Sequence, residues 1–141
     1  MFWKKRVAVW LCVSVSCAVC GCFGNEVERY DLSGNVTIGG KPVPLGEVSF
    51  APDVQRGNSG PGAVAQIKDG RFETAPDRGT VGGPHRITVT GFDGLAPRRG
   101  NKDTHPLGNV LVAGHVIEAD LPKADSSFDI ELPEDVPTRG R

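Results

Sequence analysis

Three histidines, His85, His105 and His115, are the side chains of this chain best suited to acid–base work or metal ligation. None follows another at the i, i+2 spacing that would put two imidazoles on one face of a strand. Ser59 sits among glycines in Gly57-Asn58-Ser59-Gly60-Pro61-Gly62. A nucleophile elbow needs a glycine two residues after the serine and a helix behind it, and both are missing. Asn35 to Pro42 misses a phosphate loop, with Asn35 where Gly is needed and Pro42 where Ser or Thr is needed. Asp129 and Glu131 share a strand face, with Glu134 and Asp135 nearby. Paired carboxylates bind calcium or move protons when held at a fixed separation, but on an outward strand face they read as solvated charge. The sequence predicts no catalytic residue, no metal site and no cofactor.

Binding residues are easier to nominate than catalytic ones. Residues 92 to 112 lack a clear alternating pattern and carry Arg98, Arg99 and Lys102, followed by Asp103 and His105. A structureless stretch of this length is uncommon in a compact domain and is usually functional or disordered. Arg98, Arg99, Lys102 and His105 are the candidate contacts, suited to an anionic partner such as a polysaccharide or an acidic envelope protein. A mobile surface loop is the plainer alternative.

The first 21 residues differ from the rest. Lys4, Lys5 and Arg6 precede an apolar run from Val7 to Val19 that only Ser14 and Ser16 interrupt. A positive start, a short apolar segment and small residues at its end describe a secretory signal. As a helix the run would reach only ~20 Å, short of a ~30 Å hydrocarbon core. All four cysteines, Cys12, Cys17, Cys20 and Cys22, lie in this segment or at its end. An exported body without cysteines has no disulfide and must rely on its own core. The whole chain has 16 basic and 17 acidic residues. Without Lys4, Lys5 and Arg6 it has 13 against 17, a net charge of −4, which argues against nucleic acid or an anionic membrane surface as a direct electrostatic partner.

Val19-Cys20-Gly21-Cys22 resembles the bacterial lipobox, with Cys20 as a departure at the middle position. The resemblance implies a signal over 1–21 and lipidation at Cys22, whose acyl chains would hold the chain at a membrane facing the periplasm or cell exterior. Each buried methylene contributes ~0.8 kcal/mol to such an anchor.

After a tether over 22–30, the chain alternates with period two, as half-buried strands do. Leu32, Gly34, Val36 and Ile38 form one inward set; Val48 and Phe50, then Ala63, Ala65 and Ile67, form the next two. Asp69-Gly70 marks a hairpin, because both central positions of a type I′ turn need positive φ. Phe72, then His85, Ile87 and Val89, point inward. Alternation returns near Val116–Leu121 with an ambiguous register, and ends with Phe128, Ile130 and Leu132. The last residues, 133–141, carry two prolines and no apolar pattern, so a flexible tail is expected. About seven short strands and no helix predict an all-β, seven-stranded antiparallel sandwich over 31–132.

Ser33-Gly34-Asn35-Val36-Thr37, Gly40-Lys41-Pro42 and Gly46-Glu47-Val48-Ser49-Phe50 resemble the opening hairpin of carboxypeptidase regulatory-like domains. These have a transthyretin-like sandwich and occur in small bacterial lipoproteins. Asp69-Gly70-Arg71-Phe72, Gly83 to Val89 and Ser127 to Leu132 match later hairpins and strands of that family. His85 stands where an aromatic residue is often found, and the arginine-bearing loop is longer than the pattern. The resemblance implies a fold and no catalytic residues. The favoured reading is a non-catalytic, lipid-anchored binding or structural module. A small envelope hydrolase using loop histidines and acids, and a subunit of an envelope assembly pairing through sheet edges, are the alternatives.

Overall fold

The computed structural model describes residues 26–95, 105–136 and 138. Among them the chain is all-β, with a three-residue 3-10 turn, Val54–Arg56, as its one helical piece. The strands are β1 (Leu32–Ile38), β2 (Lys41–Pro42), β3 (Leu45–Pro52), β4 (Ala63–Lys68), β5 (Arg71–Glu73), β6 (Gly83–Phe92), β7 (Val110–Leu121), β8 (Ser126–Ser127) and β9 (Ile130–Leu132). They form one sheet in the order β2-β1-β5-β4-β3-β6-β7, curled into half a barrel, with β8 and β9 also paired to β1.

The sequence pattern explains most of this. In β1, β3, β4 and β6 the alternate residues named above are buried, save the half-buried Ile38 at the end of β1, and they form one inner face with Phe72, Val112, Leu121, Ile130 and Leu132. The Phe50 and Phe72 rings pack 5.6 Å apart at 42°. Asp69 and Gly70 have φ of 49° and 76°, the two positive values that the hairpin between β4 and β5 requires.

Three expectations change. Pairing is antiparallel along the main path, but β8 and β9 run parallel to β1. Nine strands replace the expected seven, and β2 and β8 are two-residue ladders too short for alternation to reveal. The irregular stretch expected over 92–112 loses both its ends, because Phe92 still belongs to β6 and β7 already begins at Val110. Register shifts at Val89/Gly91 and Gly91/Phe92 put extra residues of β7 opposite β6, and Gly114 there adopts φ 63°. Val112 faces the core before the shift, and Ile117, Ala119 and Leu121 do so after it. A bulge changes which parity of residues faces inward, so no single period-two template fits β7.

The tail expected from Pro133 is held for its first few residues. Val136 is buried and joins the core.

Candidate functional site

β6 runs from Gly83 to Phe92, ~30 Å at ~3.3 Å per residue, and its two ends define two poles of the domain. At the Gly83 end the tether is docked. Tyr30 bridges Thr80, with Tyr30 N donating to Thr80 O at 2.7 Å and Thr80 N donating back to Tyr30 O at 2.9 Å. The Arg29 guanidinium donates to three backbone carbonyls, Gly79 (2.9 Å), Gly62 (2.7 Å) and Arg78 (3.1 Å). The expected tether over 22–30 is therefore fixed to the body at its last two residues. The neighbouring 53–62 loop is also tied, since Asn58 Nδ2 donates to Gly82 O at 2.9 Å and Pro84 O at 2.7 Å. Ser59 belongs to this strapped loop.

At the opposite pole the chain leaves β6 at Phe92 and returns at Val110. Asp93 holds the two arms together. Its Oδ1 accepts from Leu95 N and from Asn109 N, both at 2.9 Å, and its Oδ2 accepts from Asn109 Nδ2 at 2.6 Å. Backbone bonds from Asp93 N to Asn109 O and from Gly94 N to Leu107 O complete the neck, each 3.0 Å. Gly108 is required here: it has φ 103°, and a Cβ on it would overlap Asp93 Oδ1. The donors from Leu95, then those of Asn109, hold the Asp93 carboxyl below its ordinary value of 3.8.

A group whose folded value is depressed stabilises the fold above its unfolded value and loses that contribution as pH falls through the folded one. The neck should therefore stay closed at neutral pH and open only in acid, as pH falls through the depressed value. Replacing Asp93 with Ala should remove that acid step and speed amide exchange at Leu95 and Asn109 at neutral pH, leaving core amides protected. Exchange followed residue by residue by NMR checks both expectations.

His105, nominated as a loop contact, is exposed but packs on the body of the domain. Its ring stacks on Phe92 at 4.3 Å and 17°, and its Nδ1 accepts from Leu107 N at 3.2 Å. Phe92 pairs with Leu45, which puts it on the face of the sheet opposite Gly46 and Gly91 and outside the core; it is only 8% exposed. The signal missed in the sequence was Phe92 itself, an outward aromatic at a strand end that needs a cover.

The three histidines do not meet. His85 is fully buried on the core face at the tether end of β6. His115 lies opposite Val89, ~13 Å further along the strand. His105 covers Phe92 a further ~10 Å on, at the other face. Asp129 Oδ1 accepts from Asn35 N (2.8 Å) and Asn35 Nδ2 (3.0 Å), so it braces β1. Among the described residues no three His, Cys, Asp or Glu side chains are grouped as metal ligands.

Of the nominated site residues, His105 forms part of the neck. Arg98, Arg99 and Lys102 lie between its arms in sequence, outside the described residues, as do the signal segment and Cys22. No protein-family model matches the chain, and no curated protein matches it.

Proposed function

We propose that this chain is a non-catalytic, lipid-anchored module of the bacterial cell envelope, built as a transthyretin-like sandwich of the carboxypeptidase regulatory-like kind. The observation that carries the reading is the polarity of the domain. The tether is clamped by Arg29 at one pole, and the loop bearing Arg98, Arg99 and Lys102 is rooted by Asp93 at the other. Arg29 lies seven positions after Cys22, a reach of at most ~25 Å. A lipid on Cys22 would keep the tether pole near the membrane and turn the basic loop outward, towards an envelope protein or polysaccharide.

The separation of His85, His105 and His115 along β6 weighs against the hydrolase alternative, because general acid–base chemistry needs its groups within hydrogen-bond reach of one reacting atom. The long β7 edge suits the assembly alternative, but an antiparallel β7–β7 pairing would point the two tether poles in opposite directions. Two copies anchored in one leaflet could not pair in that way.

Crosslinking in the native envelope, followed by recovery and mass spectrometry, tests the proposal. Wild type is expected to recover one dominant partner, and Cys22→Ser to lose both that partner and the membrane fraction. Recovery of the same partner by a fully soluble Cys22→Ser protein would overturn the anchored-module reading.

A further inference from the structure

We propose that the outer rim of the sheet, from Arg71 and Lys68 across Leu45 to the Phe92–His105 stack, is a docking track for an acidic polysaccharide. The inference rests on the reading that the loop pole is the contact pole, and extends that contact from His105 across the outer face of the sheet. Arg71 pairs with Lys68, Lys68 with Leu45, and Leu45 with Phe92, so the four residues form one cross-strand row. Directly opposed residues of antiparallel strands share a face, and adjacent strands are ~4.8 Å apart, so the row spans ~14 Å.

Two features of the row are unexplained by folding. Lys68 and Arg71 are like charges directly opposite one another, an arrangement that destabilises a hairpin. Neither has an ion-pair partner among the described residues, where the one salt bridge joins Arg56 and Asp120. Glu47, whose Oε2 accepts from Gln66 Nε2 at 3.1 Å, and Glu73 share this face, but neither comes within ion-pair distance of Lys68 or Arg71. The two cations line a shallow groove of about 680 Å³ with Gln66, Val64, Ser33 and Glu73. At the other end of the row, Phe92 is covered by the imidazole of His105, which remains exposed as a residue.

This surface fits an extended polyanion better than a globular acidic protein. A protein interface needs a desolvated apolar centre with large anchors. Here the large apolar side chain of the row, Phe92, is already covered. A flat rim with two exposed cations at one end and a planar ring at the other suits a linear chain of carboxylate-bearing sugars. Such a chain takes charge pairing at the cations and stacking on the ring without burying much area.

The full chain, solubilised in detergent, should bind polygalacturonate at low salt and bind poly-glutamate more weakly. Lys68→Gln with Arg71→Gln should weaken polygalacturonate binding about fivefold, and the difference should vanish in 1 M salt, where screening acts over ~3 Å. Exchanging the two residues, Lys68→Arg with Arg71→Lys, should preserve binding, and His105→Ala should weaken it at both salt concentrations. All three variants carry substitutions only at exposed residues, and their melting temperatures report folding. Equal binding of both polymers would overturn the polysaccharide assignment in favour of an acidic protein. Unchanged binding in the double variant, with loss in Arg98→Gln/Arg99→Gln, would overturn the track and leave the loop reading standing. No binding of either polymer by wild type would overturn the track, while the envelope crosslinking still decides the reading on which it rests.

Discussion

Replacing Gly34 with alanine is expected to lower stability by ~3 kcal/mol or more, or to prevent folding. The cause is steric. A Cβ at position 34 would overlap the Phe128 carbonyl oxygen and stand 3.0 Å from Phe72 Cε1. The clash falls on backbone, which cannot turn aside as a side-chain tip would, and overpacking of this kind costs ~1–3 kcal/mol even where neighbours yield. Position 34 is also where β1 is most heavily used. Gly34 pairs with Phe72 of β5, its neighbour Ser33 pairs with β8, and from Val36 onward the same strand pairs with β9. Pushing Phe128 outward would strain the segment between the two parallel ladders.

Gly40→Ala provides the comparison. Gly40 has φ 78° but nothing within 4 Å of a built Cβ, so its substitution carries only the left-handed penalty of ~1–2 kcal/mol. Urea unfolding of the two variants checks the pair. Equal midpoints would mean that the segment around Phe128 yields at little cost, since Gly34, unlike Gly40, has no positive φ to penalise.

The same glycine shows what was legible in the sequence. Alternation identified Gly34 as an inward residue of β1, because that needs only its neighbours along the chain. What it packs against comes from a segment 94 positions later and has no local signature. Parallel pairing of β8 and β9 with β1 was hidden for that reason, while the β4–β5 hairpin was announced by Asp69-Gly70 next to its own strands. β7 was obscured differently: its bulges change the inward parity near Gly114, and a strand with two parities looks irregular when read with one.

The candidate site was half legible. The length and charge of the segment around Arg98 drew notice to the pole where β6 ends and β7 begins. Its root did not stand out, because an Asp and an Asn 16 positions apart are ordinary loop residues until the strands bring them together. Arg29 was likewise one polar residue of an apparent tether, and its three carbonyl partners come from two loops, Gly62 from one and Arg78 and Gly79 from the other.

His85 is the residue where sequence pattern and chemistry conflict most, and its substitutions should separate size from polarity. It is fully buried at the start of β6, opposite Pro52 of β3 and Ala119 of β7. Its Nδ1 lies 2.9 Å from Gly83 O, and since a carbonyl only accepts, that nitrogen carries the hydrogen. Its Nε2 is buried and has no hydrogen-bond partner among the described residues. An unsatisfied buried polar atom costs ~1–3 kcal/mol, and replacing a polar group by an apolar one of like shape is often close to neutral. His85→Phe keeps the ring, removes the unpartnered nitrogen and gives up one hydrogen bond whose acceptor, Gly83 O, belongs to a half-buried residue. Its stability should therefore remain within ~1 kcal/mol of wild type. His85→Ala removes the ring and leaves a cavity between Pro52 and Ala119 on the core face, for a loss of ~3 kcal/mol. Chemical denaturation of both variants checks the difference. If Phe is as damaging as Ala, the imidazole nitrogens, and not the volume of the ring, are what this end of the sheet requires.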